Sequence, residues 1–110
     1  MSEITEVLIK VKEFFNTPDK WIKDDINKIH LGKVVAACTI GAINFVCIDN
    51  NIVSYNGIVN RFKHANKIET TIATWNDEPT RTFNEIIDAL DRAIEYSTGL
   101  DDLVASVVSS

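Results

Sequence analysis

The chain has 110 residues, of which 45% are hydrophobic and 25% charged, and its formal net charge is −5. These values are typical of a single globular domain, and no apolar run reaches the roughly 18 residues that a membrane-spanning helix needs. The first residues lack the basic start and the apolar stretch of a secretory signal. We therefore expect a mature cytoplasmic protein without a membrane partner.

The acidic residues are unevenly distributed along the chain. Residues 77–110 hold eight acidic and two basic residues, whereas residues 1–76 are nearly neutral. An acidic last third argues against direct binding of nucleic acid, and it favours a basic surface on a partner protein. A solvated helix face without a partner is the alternative interpretation.

The first segment has the spacing of an amphipathic helix. Its apolar residues recur every three or four positions, at Ile4, Val7, Leu8, Val11, Phe14 and Phe15. This pattern predicts one buried helix face. Ser2 is a suitable N-cap, and the helix should end before Pro18. A capped turn at Thr17 and a polar connection that runs to Gly32 are expected next.

The stretch from Val34 to Ile48 is apolar nearly all round, which predicts a central, buried helix. A pair of strands is the competing interpretation. The small residues of the stretch favour the helix, and 15 residues without a turn are long for a strand. Cys38 and Cys47 would then lie about 14 Å apart along the helix axis, too far for a disulfide, so both are expected to be buried thiols.

Three further helical segments follow. Tyr55, Ile58, Val59 and Phe62 predict a helix over 52–65, and a short helical piece ends near Trp75. Thr82 and Glu85 have the spacing of a capping box. The helix that they start is expected to carry the i,i+4 pairs Arg81–Glu85 and Asp88–Arg92 and to end at Gly99.

The last residues have an apolar stripe of their own. Its members are Leu100, Leu103, Val104, Val107 and Val108. So short a helix is not stable alone in water, so the stripe should dock on the body or on another chain. The overall prediction is an all-α bundle of four to five helices around Val34–Ile48, with one domain over 1–98 and an amphipathic tail over 99–110.

The motifs Trp75-Asn76-Asp77, Arg81-Thr82-x-x-Glu85 and Leu90-Asp91-x-Ala93-Ile94 together resemble a small bacterial and phage domain family of unknown function. Trp21 and the segment Cys38-x-x-Gly41-Ala42 also match its pattern, and the resemblance covers most of residues 4–96. It implies a compact helical domain that is often encoded near phages or mobile elements. It implies no activity.

Candidate sites for chemistry are few. Trp75, Asn76 and Asp77 form a motif loop that could be a polar site, although a structural role in fixing the next helix is favoured. His30 and His64 lack evident partners, and neither metal-ligand spacing nor a known catalytic motif is present. We therefore expect no enzyme activity, no metal and no cofactor.

Three hypotheses for function remain. The first is a protein-binding module that binds through its acidic C-terminal face, with a phage-borne modulator or inhibitor of a host protein as its specific form. The predicted binding residues are Glu85, Asp88, Glu95, Asp101, Asp102, Leu103 and Val107. The second is a small-molecule binder or minor enzyme with a pocket near the motif loop. The third is a homodimer that pairs through its tails.

Overall fold

Five α-helices, one short 3-10 helix and one β-hairpin form the described part of the chain. The structure is a computed structural model that describes residues 2–109, and the side chains of residues 2–106. In chain order the elements are α1 (Glu3–Phe14), the 3-10 helix (Pro18–Lys20), β1 (Asn27–His30), β2 (Lys33–Ala37), α2 (Thr39–Asp49), α3 (Tyr55–Ala65), α4 (Ile72–Asn76) and α5 (Phe83–Ser109).

The predicted first helix is confirmed as α1. The Ser2 hydroxyl accepts a hydrogen bond from the backbone N–H of Thr5, as expected for an N-cap. The apolar stripe buries Val7, Leu8 and Val11 completely. This face packs against α2, α3 and α5, so α1 lies at the centre of the helix packing.

The all-α prediction is correct only in that the chain is mostly helical. Residues predicted to be a polar connection form β1, and Val34–Ala37, predicted as the start of a central helix, belong to β2. The helix α2 begins only at Thr39. The reason is local, because Leu31 and Gly32 both adopt positive φ angles (52° and 77°) and reverse the chain in two residues. The adjacent Val34 and Val35 are β-branched and suit a strand.

The hairpin is antiparallel and irregular. Ile29 pairs directly with Val34, and the register shifts between Lys28 and Ile29, as at a β-bulge. Its base is attached to the body, because Trp21 forms an isolated bridge with Ala37. The hairpin therefore projects from the helical core at the N-terminal end of α2.

The two cysteines are free and buried, as predicted. Cys38 is the N-cap of α2, and its sulfur accepts a hydrogen bond from the N–H of Gly41 at 3.4 Å. Burial raises the pKa of both the Cys38 and the Cys47 thiols. Both groups are thus held in the protonated, poorly nucleophilic form.

The longest helix is α5, and it differs from the prediction at its C-terminal end. The capping box is confirmed, with Glu85 N–H donating to the Thr82 hydroxyl and Thr82 N–H donating to the Glu85 carboxylate. Gly99 does not end the helix, which runs 27 residues to Ser109, about 40 Å. The prediction of a separate short C-terminal helix is therefore wrong. The division into a domain over 1–98 and a tail over 99–110 stays a prediction.

The core fills the space between α1, α2, α3 and α5. Its largest fully buried side chains are Leu8, Phe15, Ile43, Ile58, Phe62, Ile86 and Leu90. Within the described residues, no helix combines the length and apolarity that crossing a bilayer requires.

Candidate functional site

The motif loop is organised around Asn76, which is fully buried. Its Oδ1 accepts hydrogen bonds from Trp21 Nε1 at 2.7 Å and from both the N–H and the hydroxyl of Thr39, at 3.0 and 2.7 Å. Its Nδ2 donates to the carbonyl of Ile22 and to Asp77 Oδ1, both at 3.0 Å. All polar groups of the Asn76 amide are thus used inside the protein.

The other two residues of the motif loop also contact their own chain. Trp75 packs edge-on against Phe62 with ring centroids 5.5 Å apart, and the Arg81 guanidinium lies 4.3 Å from the Trp75 ring centroid. Asp77 Oδ1 accepts a hydrogen bond from the backbone N–H of Asp24 at 2.9 Å. The predicted loop is corrected in one respect, because Trp75 and Asn76 are the last two residues of α4 and Asp77 is its C-cap. These contacts fix the end of α4 against the body, and they favour a structural role for the motif.

A polar cluster that the sequence did not reveal joins α5 to α1 and α3. Thr5 Oγ1 donates to Asp101 Oδ2 at 2.6 Å, and Arg61 Nη1 donates to Asp101 Oδ1 at 3.0 Å and to Ser97 Oγ at 2.6 Å. Because Thr5 uses its one hydroxyl proton on Asp101, the Ser97 hydroxyl donates to Thr5 Oγ1, 2.6 Å away. The Ser2 N–H also donates to Asp101.

The electrostatics of this cluster hold Asp101 in its anionic form. Burial acts to raise the pKa of the Asp101 carboxyl, and the hydrogen bonds from Thr5, Arg61 and Ser2 outweigh it, so the pKa lies well below the usual range. The Asp101 side chain is 15% exposed. Both of its oxygens are engaged within the chain, which leaves little of this predicted binding residue for a partner.

One signal for the cluster was present in the sequence. Thr5 and Ser97 lie on apolar helix stripes and are fully buried. A hydroxyl in such a position needs a hydrogen-bond partner, although the sequence could not identify which residues supply it.

The acidic residues of α5 fall into two groups. Three are paired with cations of the same chain: Glu85 with Arg81, Asp91 with Lys12, and Asp101 with Arg61. The other three are Asp88, Glu95 and Asp102, which are exposed; no side chain in the described part of the protein pairs with them. We call these three residues the acidic stripe. The predicted Asp88–Arg92 pair does not form, because Arg92 Nε donates to Asn66 Oδ1.

The acidic stripe follows one side of α5. Its members are spaced seven residues apart, and a spacing of seven drifts by only about 20° around a helix. Glu85, another predicted binding residue, differs from the acidic stripe. Its carboxylate accepts hydrogen bonds from the Thr82 N–H and the Arg81 guanidinium, and these bonds lower the pKa of Glu85.

The end of α5 continues beyond the packed body, and we call residues 102–109 the α5 extension. Leu103 and Val104 are 61% and 58% exposed. Val104 continues the apolar stripe of α5, whose earlier members are buried. Val107 lies in the helix, but its side chain is outside the described residues. The exposed side chains of Leu103 and Val104 thus adjoin Asp102 of the acidic stripe.

Concave surfaces occur away from the motif loop. They lie at the end of α3, between α3 and α5 near Tyr96 and Gly99, and beneath the hairpin. No three His, Cys, Asp or Glu side chains of the described residues lie close enough together to hold a metal ion.

The model of a family described as "Family of unknown function (DUF6197)" matches residues 1–96. The chain belongs to this family. The predicted resemblance to a small family without a known activity is thereby confirmed. The matched range includes the motif loop, and it leaves out Ser97, Asp101 and the α5 extension. No curated protein and no solved structure matches the chain.

Proposed function

We propose that this protein is a non-enzymatic, cytoplasmic binding module that attaches to a basic, partly apolar surface of another protein through α5. A phage or mobile element would encode it as a modulator or inhibitor of a host protein. The observation that carries the proposal is the acidic stripe beside the exposed side chains of Leu103 and Val104 in the α5 extension.

The charge distribution of α5 supports this function. Three of its acids are paired within the chain, whereas Asp88, Glu95 and Asp102 are exposed and unpaired among the described residues. Like charges repeated along one helix side repel each other, and a basic partner surface would relieve that repulsion. Such charges also accelerate the encounter with an oppositely charged partner.

The α5 extension would supply the apolar part of the contact. Leu103 and Val104 are mostly exposed, and water-exposed apolar side chains on a helix are the usual anchors when a helix docks in a groove. Binding energy is concentrated in such central anchors, and surrounding charges contribute orientation and specificity.

The buried thiols and the internally bonded Asn76 support a non-enzymatic role. They argue against a substrate pocket at the motif loop. Burial raises the pKa of both thiols, and Asn76 uses its whole amide within the fold. A substrate at the motif loop would have to replace these internal hydrogen bonds.

A lysate pull-down tests the proposal. Immobilised wild-type protein is compared with the stripe variant Asp88→Lys/Glu95→Lys/Asp102→Lys and with the control Glu13→Lys/Glu69→Lys/Glu78→Lys. The control residues are exposed and outside α5, so both variants have the same net charge. Circular dichroism shows whether each variant is folded.

We expect wild type and control to retain a common partner that the stripe variant loses. A second variant, Leu103→Ser/Val104→Ser, should also lose it, since it removes the apolar anchors and leaves the charge unchanged. Equal recovery of the same partners by all four folded proteins would rule out binding through α5.

A further inference from the structure

The helices α3 and α5 begin with closely similar sequences. Residues 54–57 read Ser-Tyr-Asn-Gly, and residues 82–85 read Thr-Phe-Asn-Glu. In both, a hydroxyl residue precedes the helix, an aromatic residue opens it, and an exposed asparagine is its second residue. The two starts differ in how the backbone N–H that follows the asparagine is used.

At the start of α5 this N–H is capped. Glu85 N–H donates to the Thr82 hydroxyl at 3.3 Å, which is the usual hydrogen bond of an N-cap residue. The next N–H along the chain, that of Ile86, bonds to the Thr82 carbonyl. The backbone nitrogen beside Asn84 is therefore held in the helix.

At the start of α3 the corresponding cap is missing. The Ser54 hydroxyl donates to Glu3 Oε2 of α1 at 3.0 Å, and it accepts no N–H of its own helix. The hydrogen bonds of α3 begin with Ile58 N–H, which donates to the Ser54 carbonyl. Among the described residues no group accepts the Gly57 N–H, and none bonds to the Asn56 amide.

An asparagine beside an unbonded backbone nitrogen is chemically labile. The nitrogen of the following residue can attack the side-chain carbonyl carbon, and asparagine is accordingly one of the thermolabile residues. The attack is easiest when the following residue is glycine, which has no Cβ and the most flexible backbone. The sequence Asn-Gly occurs once in the chain, at Asn56 and Gly57.

The attack also requires the first turn of α3 to open briefly. Helix ends open at a lower cost in free energy than helix interiors. A missing N-cap lowers this cost further, because opening then breaks one hydrogen bond fewer. The nitrogen of Gly57 is thus accessible to Asn56 in a way that the nitrogen of Glu85 is not accessible to Asn84.

We propose that Asn56 is a site of spontaneous deamidation, and that Glu3 promotes the reaction by keeping the Ser54 hydroxyl from capping α3. The Gly57 nitrogen bonds to Asn56 Cγ, the bond from Cγ to Nδ2 breaks, and ammonia leaves with the proton of the Gly57 N–H. The product is a five-membered succinimide ring. No oxidant, metal or cofactor takes part.

Water completes the reaction by opening the ring. Addition at Cγ breaks its bond to the Gly57 nitrogen and gives aspartate, whereas addition at the backbone carbonyl carbon gives isoaspartate. Either product makes the formal net charge of −5 more negative by one. Isoaspartate also inserts a methylene group into the first turn of α3, where Gly57 lies close to Ile4 of α1. The inference is independent of the proposed function, because it does not involve α5 as a binding element.

Incubation of the full chain for several weeks at neutral pH and physiological temperature tests the proposal. Mass spectrometry of digested samples locates each conversion, isoaspartate methyltransferase detects the isoaspartate, and an unincubated sample corrects for conversion during digestion. Asn56 should be converted several-fold faster than Asn84, and faster at mildly alkaline pH, because the attacking nitrogen must lose its proton. An unchanged Asn56, or equal conversion of Asn56 and Asn84, would overturn the proposal.

Two variants test why Asn56 is labile. Glu3→Ala frees the Ser54 hydroxyl to cap Gly57 and should slow the conversion by about fivefold, the effect of one N-cap. Glu6→Ala, an exposed acid in the same turn of α1, is the matched control and should not slow it. Gly57→Ala should also slow it, and its Cβ would meet only the end of the flexible Ile4 side chain, at 2.9 Å.

Circular dichroism shows whether each variant is folded. Conversion of Asn56 at the same rate in wild type, Glu3→Ala and Glu6→Ala would overturn the role assigned to Glu3. Slower conversion in Glu3→Ala alone of these two variants supports it.

Discussion

The Asn76 side chain joins three segments that are far apart in the sequence. Its amide bonds to Trp21 and Ile22 before the hairpin and to Thr39 at the start of α2, while its own backbone ends α4. The motif around Asn76 was visible in the sequence. Its long-range hydrogen-bond partners could not be identified from the sequence, because Thr39, Ile22 and Trp21 lie 37 to 55 positions away.

Replacing Asn76 should therefore destabilise the whole fold. Asn76→Ala leaves the Trp21 N–H and the Thr39 groups without their acceptor, and we expect the free energy of unfolding to fall by about 3 kcal/mol. Urea denaturation measures it. Asn84→Ala, the same change at an exposed helix position, should stay within about 0.5 kcal/mol; equal effects would contradict the role assigned to Asn76.

Asp101 predicts a dependence of stability on pH. Its folded-state pKa is depressed, so its contribution is present above the unfolded pKa of about 3.9 and is lost as pH falls below it. Asp101→Asn should cost about 2 kcal/mol near neutral pH, and the cost should shrink progressively on acidification below pH 4.

Urea unfolding of Asp101→Asn across this pH range provides the measurement. Asp102→Asn is the control, since the neighbouring Asp102 is exposed and unpaired among the described residues. It should have little effect at any pH. A pH-independent loss in Asp101→Asn would show that packing, and not the charge, holds this end of α5.

At the level of elements, α5 shows how tertiary contacts override a local stop signal. Glycine in a helix interior is less favourable than alanine by about 1 kcal/mol. Gly99 therefore predicted that α5 would end at this position. The cluster around Asp101 lies immediately beyond it and anchors the following turn to α1 and α3. The helix therefore passes through Gly99, supported by residues that are remote in sequence.

The same substitution should have opposite effects in two helices. A Cβ at Gly99 meets nothing within 4 Å, so Gly99→Ala should raise the free energy of unfolding by about 0.5–1 kcal/mol. A Cβ at Gly41 would lie 1.9 Å from the Ile26 carbonyl oxygen, so Gly41→Ala should lower it by about 2–3 kcal/mol. Thermal unfolding of both variants tests the pair; a shared sign would contradict it.

The sequence predicted those elements whose signals are local. The spacing of Val7, Leu8 and Val11 and the Thr82–Glu85 capping box identified α1 and the start of α5. The hairpin was missed because its turn has Leu31 where Asn is usual, and because an apolar strand followed directly by a largely buried helix gives one uninterrupted apolar run.

The candidate site was predicted in part for a similar reason. Asp88, Glu95 and Asp102 were among the predicted binding residues, but Glu85 and Asp101, which pair within the chain, were predicted beside them. Which acids of α5 remain unpaired depends on Lys12 and Arg61, which reach it from α1 and α3. Such long-range pairing is set by the packing of helices and leaves no pattern in the sequence around each acid.

For the whole molecule, the matched family range ends at residue 96, whereas the cluster that fastens α5 to α1 and α3 uses Ser97 and Asp101. Residues beyond the family match thus divide into two parts. Residues 97–101 hold the helix to the body, and the α5 extension makes no hydrophobic core contact among its described side chains.

Two truncations separate these parts. A chain that ends at Asp101 keeps the cluster, so its free energy of unfolding should fall by no more than about 1 kcal/mol, whereas capture of the proposed partner should be lost. A chain that ends at Tyr96 leaves Thr5 and Arg61 without their partners and should lose about 3 kcal/mol or more. Urea unfolding and the lysate pull-down of both chains provide the comparison. If the longer chain were as unstable as the shorter one, the extension would be needed for folding, and its exposed apolar side chains would no longer require a partner to explain them.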